Sequence, residues 1–276
     1  MLRLLEELES KLYELNIKKS DVCLLGSASL AVSDFCINND LEFVIKPEIW
    51  ANLKNKDYYG YEFNSLSNIL RISDKIECQK NSLVMFGLSD NNIFKDENSF
   101  EYEGYRIIKP YIYLAHKVLC NREKDRRIIE KYKSEVGWNV IIEKKVENML
   151  AKAYSKGWSK PVQNLQETWN TLLKNNEEIY IFGTGSIGKH VYHRMKNSRG
   201  NNSFQGFLVS EKRNEKYLFD QKILSINEVK NKNCLVLIAV SIQNMVDIEN
   251  LLKENGFNSL FQAYQFYIKE DKRVSN

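Results

Sequence analysis

The sequence has few of the residues from which common metal and catalytic sites are built. Its three histidines have no Cys or Asp cluster beside them, so neither a zinc site nor a Ser-His-Asp triad is predicted. The five cysteines are scattered without a Cys-x-x-Cys pair, and we expect buried free thiols in a reducing cytoplasm. Proline is also scarce, at three residues, which we attribute to genomic composition and not to mechanism.

Long apolar runs and strong charge are missing too. No apolar run approaches bilayer length, so no membrane span is predicted. The opening stretch, MLRLLEELESKLYEL, places acids between apolar residues at helical spacing, which predicts an amphipathic helix and not a signal peptide. A formal net charge of +4 tolerates anionic ligands but argues against a nucleic-acid partner. The sequence leaves the oligomeric state open, including a homo-oligomer.

The chain has the composition of a globular protein with two domains of ordinary size, since it has 276 residues and is 43% apolar. The first half predicts a helix, a turn, a short helix and several strands, RISDKIECQK and SLVMFG among them. One long helix is then predicted through YLAHKVLCNREKDRRIIEKYK. After SKGWSKP, strands alternate with helices, which is typical of a parallel α/β sheet. We therefore predict an α/β protein divided into residues 1–135, a helical appendage or linker at 136–176, and residues 177–276.

Two acids lie on one predicted strand in LLGSASLAVSDFCINNDLEFVI. Asp40 and Glu42 project from the same face, while Leu41 and Phe43 turn toward a core. Two close carboxylates both stay ionised only with a cation between them, and Mg²⁺ prefers such oxygen ligands. A solvated edge strand is the alternative interpretation.

A Gly-Ser turn precedes this strand, and a third acid follows it. Gly26 and Ser27 end one strand and begin a helix, which directs N–H groups and a hydroxyl toward an anion such as a triphosphate. Simple helix capping by Ser27 is compatible with that role. Glu77 in DKIECQK is flanked by Ile76 and Cys78 as a strand interior would be, and taken alone it is best interpreted as a surface acid; Asp74, the weaker candidate, lies nearer a predicted turn.

The turn, the helix and the acidic strand together resemble the nucleotidyltransferase superfamily of polymerase-β type. Its pattern is hG[GS], then [DE]h[DE]h, then a carboxylate on a later strand; the matching residues are Gly26, Ser27, Asp40, Glu42 and Glu77. The resemblance implies Mg²⁺ held by the three acids and transfer of an NMP unit from an NTP to a small phosphorylated or hydroxylated acceptor. Glu42 replaces the usual aspartate and the gap after Ser27 is long. The alternatives are a degenerate nucleotide-binding regulator or scaffold, and a toxin- or aminoglycoside-type nucleotidyltransferase.

The segment PYIYLAHKVLCNREKDRRIIE resembles the one that follows the catalytic core in bacterial nucleotidyltransferase-like proteins. Lys117, Arg122, Lys124 and Asp125 match it, and the family's last acidic position is Glu130 or is absent. On one continuous helix Lys117 and Lys124 share a face, so the resemblance implies nucleotide-phosphate ligands that neutralise the leaving pyrophosphate. A solvated cationic face is the alternative, and Asp125 is expected to pair with a neighbouring base.

IYIFGTGSIGKHV carries a G-x-G-x-x-G turn, formed by Gly183, Gly185 and Gly188, between a predicted strand and helix. This is the dinucleotide-binding fingerprint, and Glu211 after the next strand is the candidate ribose ligand. The remaining residues are too few for a dehydrogenase catalytic domain. The segment resembles the small Rossmann-like domains attached to bacterial surface-polysaccharide enzymes, which implies a role in capsule or surface-polysaccharide precursor synthesis. Binding of NAD or a nucleotide sugar and a purely architectural role both stay open, and bound NAD is the less favoured.

Overall fold

The computed structural model describes residues 2–36, 39–54, 62–64, 69–198, 203–211 and 216–266. Within those ranges the chain is a mixed α/β protein, as the sequence predicts. Its helices are α1 Leu2–Glu14, α2 Ala28–Ala31, α3 Pro47–Lys54, α4 Asp90–Ile93, α5 Pro110–Cys120, α6 Glu123–Tyr132, α7 Val140–Ser155, α8 Leu165–Lys174, α9 Ser186–Lys196 and α10 Met245–Glu254.

The strands of the same ranges form two sheets. They are β1 Val22–Leu24, β2 Leu41–Ile45, β3 Glu62–Asn64, β4 Ile69–Ser73, β5 Ile76–Gln79, β6 Ser99–Tyr102, β7 Tyr105–Ile108, β8 Ile179–Phe182, β9 Phe204–Val209, β10 Tyr217–Leu218, β11 Gln221–Ser225, β12 Leu235–Ile238 and β13 Ser259–Gln262. No helix within the described ranges combines the length and the apolar character needed to cross a bilayer.

The chain packs as two compact units, each made of two stretches. The first comprises Met1–His116 and Trp138–Ser155, and the second comprises Lys117–Gly137 and Lys156–Asn276. The boundaries after residues 135 and 176 stay a prediction, because sequence pattern and packing divide a chain by different criteria.

The first unit contains a seven-stranded mixed sheet in the order β3-β4-β5-β2-β1-β7-β6. β2 pairs with β5, and β1 with β7, in parallel; the other neighbours are antiparallel. Leu41 and Phe43 of β2 are fully buried, so their predicted inward direction is confirmed. Helix α1 buries Leu5, Leu8 and Leu12 against the same core, as its amphipathic spacing predicts.

The second unit contains a six-stranded sheet in the order β10-β11-β9-β8-β12-β13. Neighbouring strands in the run β11-β9-β8-β12-β13 pair in parallel, and β10 lies at the edge of the sheet, antiparallel to β11. The parallel pairing predicted for this half is therefore present in five of the six strands. Trp169 of α8 is fully buried with Ile181, Phe207 and Leu237 of the central strands.

Of two segments predicted as strands in the first unit, RISDKIECQK is extended but folds into two strands, and the prediction for SLVMFG is wrong. RISDKIECQK is a hairpin, in which β4 and β5 pair around a turn at Asp74 and Lys75. SLVMFG contains a turn of 3-10 helix at Val84–Phe86, which stops at Gly87 with a left-handed φ of 72°. A short apolar run does not distinguish a buried strand from a buried helical turn, and this one belongs to the second kind.

The predicted continuous helix from residue 111 is also wrong. Helix α5 ends at Cys120, Asn121 takes a left-handed φ of 50°, and α6 starts after Arg122. The Asp125 carboxylate accepts a hydrogen bond from the Arg122 backbone N–H at 3.2 Å, which fixes the new helix start. Lys117 and Lys124 therefore lie on different helices, and the argument that they share one helix face does not hold.

Two buried glutamines hold the stretch before α8 within the second unit. Gln262 accepts a hydrogen bond from the Ser159 N–H at 3.0 Å and donates one to the Gly157 carbonyl at 3.0 Å. Gln265 accepts one from the Val162 N–H at 2.9 Å. These amides satisfy backbone groups that have no strand or helix partner, so the stretch is fixed without regular structure.

The cysteines follow the sequence prediction. All five are free; four are buried and Cys36 is half-buried. Burial raises the pKa of the Cys120 thiol to about 11, against a smaller opposing effect of the nearby Arg122. Such a thiol stays protonated near neutral pH and behaves as a small apolar side chain.

Candidate functional site

The acids of the first unit lie on two neighbouring parallel strands. Glu42 of β2 and Glu77 of β5 are register partners, so both project from the same face of the sheet. Asp40 is exposed and immediately precedes β2, and Asp74 is exposed in the turn that precedes β5. The fold therefore brings Glu42 and Glu77 side by side, with Asp40 two residues earlier on the same strand path.

The Gly-Ser turn touches this acidic strand. The Leu25 N–H donates a hydrogen bond to the Glu42 carbonyl at 2.7 Å. Gly26 has a left-handed φ of 61°, and a Cβ there would lie 2.9 Å from Glu42 Oε2. Any side chain at residue 26 would therefore meet the Glu42 carboxylate, and glycine leaves that space to the carboxylate.

Ser27 precedes the single helical turn of α2. Its backbone is in the right-handed helical region, and its side chain makes no capping hydrogen bond. Simple capping therefore does not account for this serine. Because α2 has only four residues, its dipole is small, and the turn itself is the feature that faces the acids.

An arginine that the sequence motifs do not single out lies beside the acids. Arg71 of β4 is the register partner of Glu77 across the antiparallel hairpin. Its Nε and Nη2 lie 3.3 Å and 3.1 Å from Glu77 Oε1. The side chains are 51% and 29% exposed, respectively. The available signal was the hairpin: once Asp74 and Lys75 form its turn, opposite charges fall on facing strands.

These acids supply oxygen ligands of the kind that Mg²⁺ binds, and the register of Glu42 with Glu77 suits a shared cation. As the side chains stand, no group of three or more His, Cys, Asp or Glu residues in the described ranges is arranged to hold a metal ion. Assignment of Asp40, Glu42 and Glu77 as metal ligands stays a prediction.

The predicted basic residues belong to the second unit, where two of them meet one buried acid. Lys117 Nζ lies 3.1 Å from Asp125 Oδ1, and Arg122 Nε lies 2.5 Å from Asp125 Oδ2. Burial alone would raise the pKa of Asp125, but Lys117 and Arg122 outweigh it and hold that pKa below its usual value. The expected pairing of Asp125 with a neighbouring base is confirmed. Lys124 and Glu130 are exposed on α6, and phosphate binding by the basic residues stays a prediction.

The glycine turn of the second unit follows β8 and leads into α9. A Cβ on Gly188 would lie 1.9 Å from the Gly183 carbonyl oxygen, and one on Gly183 would lie 2.7 Å from the Ala239 carbonyl oxygen. Packing therefore requires both glycines. Gly185 differs, because its φ is −75° and its Cβ would meet nothing within 4 Å.

This turn lies where the strand order reverses, because β8 has β9 as its neighbour on one side and β12 as its neighbour on the other. In parallel α/β sheets, ligands bind beyond the carboxyl ends of the strands at such a point. Glu211 is exposed two residues after β9, so it lies at the same edge of the sheet as the turn.

Comparisons with family models, with curated proteins and with solved structures each returned no match.

Proposed function

We propose that this chain is a Mg²⁺-dependent nucleotidyltransferase that transfers an NMP unit from an NTP to a small phosphorylated or hydroxylated acceptor. One observation carries the proposal: Glu42 and Glu77 are register partners on neighbouring parallel strands, and the Glu42 carboxylate lies against Gly26. This proximity of the Gly-Ser turn, the acidic strand and the later acid supports the proposal, because the polymerase-β type pattern also draws on a turn of this kind and on acids from two strands.

The proposed chemistry assigns separate tasks to these residues. Asp40, Glu42 and Glu77 would hold the metal, which when bound neutralises phosphate charge and acidifies the attacking group. Gly26 lets the Glu42 carboxylate lie directly against the turn, because it has no Cβ to fill that position. Rigid strands place Glu42 and Glu77, so little ordering is needed when substrate arrives.

A nucleotide-binding scaffold without activity is the second candidate. The ion pair between Arg71 and Glu77 favours it, because a resident cation already neutralises one of the three acids. Turnover separates the two candidates, since a scaffold would bind nucleotide without releasing pyrophosphate.

We expect Mg²⁺-dependent pyrophosphate release in a screen of the four NTPs against phosphosugars, polyol phosphates and neutral polyols. Asp40→Asn and Glu42→Gln should each lower turnover at least about 100-fold, as removal of one electrostatic group from a transition state does. Asp74→Asn is the matched control, because it removes an exposed acid from the adjoining turn and should leave turnover unchanged. Full turnover by the Glu42→Gln protein would refute the catalytic assignment.

For the second unit we propose a Rossmann-like domain that binds a nucleotide sugar or a dinucleotide at Gly185. The parallel strand order with its reversal next to β8 supports the fold, and the uncovered Gly185 supports close approach of a ligand. The surface-polysaccharide context rests on the resemblance of the sequence, and an architectural role is the alternative.

Thermal-shift measurements with NAD, NADP and UDP-sugars test this assignment. A ligand at 100 times its Kd should stabilise the unit by about 2.7 kcal/mol. Gly185→Val should abolish that shift, while the ligand-free protein loses no more than about 1 kcal/mol, the scale of a changed helix cap. No response to any of these ligands would favour the architectural role.

A further inference from the structure

We propose that Arg71 is the resident counter-ion of the acidic site: it holds Glu77 while no metal is bound and releases it when a divalent cation enters. Arg71 would thereby set the metal affinity of the site. This inference rests on the proposed function, because it assumes that Glu77 is a metal ligand.

The backbone alone places the three charged residues in a row. Arg71 pairs with Glu77 across β4 and β5, and Glu77 pairs with Glu42 across β5 and β2. Register partners project from the same face of a sheet, so a base and two acids follow one another across three adjacent strands. The order of strands therefore fixes Glu77 between its two neighbours.

The charges of this row make Arg71 a competitor of any metal. Without a cation, Glu42 and Glu77 repel each other on neighbouring strands, and the Arg71 guanidinium offsets that repulsion. Both of the contacts that Arg71 makes with Glu77, at 3.3 Å and 3.1 Å, reach the same oxygen, Glu77 Oε1. A divalent ion that takes this oxygen must displace the guanidinium and then sits beside its positive charge.

Exposure makes the displacement feasible. Arg71 is 51% exposed and Glu77 is 29% exposed, so water can solvate the guanidinium once it leaves. Ion pairs of this exposure are weak and salt-dependent, in contrast to buried ones. The pair is therefore suited to be exchanged, not to lock Glu77 permanently.

Mn²⁺ binding to the full chain, followed by electron paramagnetic resonance without nucleotide, tests the proposal. Arg71→Ala should bind Mn²⁺ about three- to tenfold more tightly than wild type, the effect of removing one charge near the ion at high dielectric. Arg71→Lys keeps the charge and should stay near wild type. Lys11→Ala, which removes the same charge from a lysine paired with Glu14 on α1, should leave the affinity unchanged.

The Glu77→Gln background separates competition through Glu77 from a general charge effect. In the Glu77→Gln protein, adding Arg71→Ala should increase the Mn²⁺ affinity by less than half of the factor by which it increases the affinity of wild type. The reason is that the two side chains act as one coupled pair. An equal gain in both backgrounds would overturn the proposal.

The other outcomes distinguish this inference from the proposed function. Mn²⁺ binding by wild type that is unchanged or weakened in Arg71→Ala would refute the counter-ion role and leave the nucleotidyltransferase assignment standing. Failure of wild type and Arg71→Ala alike to bind Mn²⁺ would overturn both. Far-ultraviolet circular dichroism of each variant confirms that folded proteins are compared.

Discussion

Gly188→Ala is expected to destabilise the second unit by at least about 3 kcal/mol, the upper end of what overpacking costs. The added Cβ would lie 1.9 Å from the Gly183 carbonyl oxygen and 2.8 Å from the Gly183 carbonyl carbon. These are backbone atoms, so no rotamer change relieves the clash. Gly183 has little room to yield, because its own Cβ position already lies 2.7 Å from the Ala239 carbonyl oxygen.

Gly185→Ala is the matched control for this substitution. It adds the same methyl group three residues earlier, at a φ of −75° that any residue adopts and with nothing within 4 Å of the new atom. We expect a loss of no more than about 1 kcal/mol, the scale of a changed helix cap. Urea unfolding with linear extrapolation measures both variants, and equal stabilities would contradict the packing account.

Asp125→Ala is expected to cost about 3–5 kcal/mol, because it leaves two cations without their shared buried partner. Asp125 is completely buried, and the side chains of Lys117 and Arg122 are only 10% and 18% exposed. The substitution also removes the acceptor that fixes the start of α6 at Arg122. Glu130→Ala, an exposed acid on the same helix, is the control and should change stability by less than about 0.5 kcal/mol.

The pH dependence of the same variant gives a second measurement. The folded pKa of Asp125 lies below its unfolded value because Lys117 and Arg122 favour the carboxylate. Its contribution is therefore complete above the unfolded carboxyl pKa, near 3.9, and is lost as pH falls through the lower folded value. The difference between wild type and Asp125→Ala should stay constant from about pH 7 to 5 and shrink only below about pH 4. A difference that grew on acidification would contradict this account.

Local patterns predicted those parts of the fold that depend on neighbouring residues. The alternation of Leu41 and Phe43 with acids places one face of β2 in the core, and structure and sequence agree there. The glycine turn likewise lies between β8 and α9, because its residues determine a tight turn almost by themselves.

The features that sequence reasoning missed depend on a single backbone angle or on pairing between distant residues. Asn121 breaks the predicted long helix through one left-handed residue, which helical periodicity does not reveal. Arg71 meets Glu77 only because β4 and β5 form a hairpin, and the register of β5 with β2 joins segments far apart in sequence. Strand register is set by the whole sheet, so the partner of Glu77 could not be identified from its own segment.

The glutamine contacts of the second unit have a consequence for the order of events during synthesis. Gln262 and Gln265 are among the last described residues, yet they satisfy backbone groups at Gly157, Ser159 and Val162, about 100 residues earlier. During synthesis those earlier groups therefore stay hydrated until about 100 further residues have been added and the two glutamines are available. A chain truncated before residue 262 would lack the glutamine partners of residues 157–162. That stretch would stay unfolded and would be exposed to quality-control proteases.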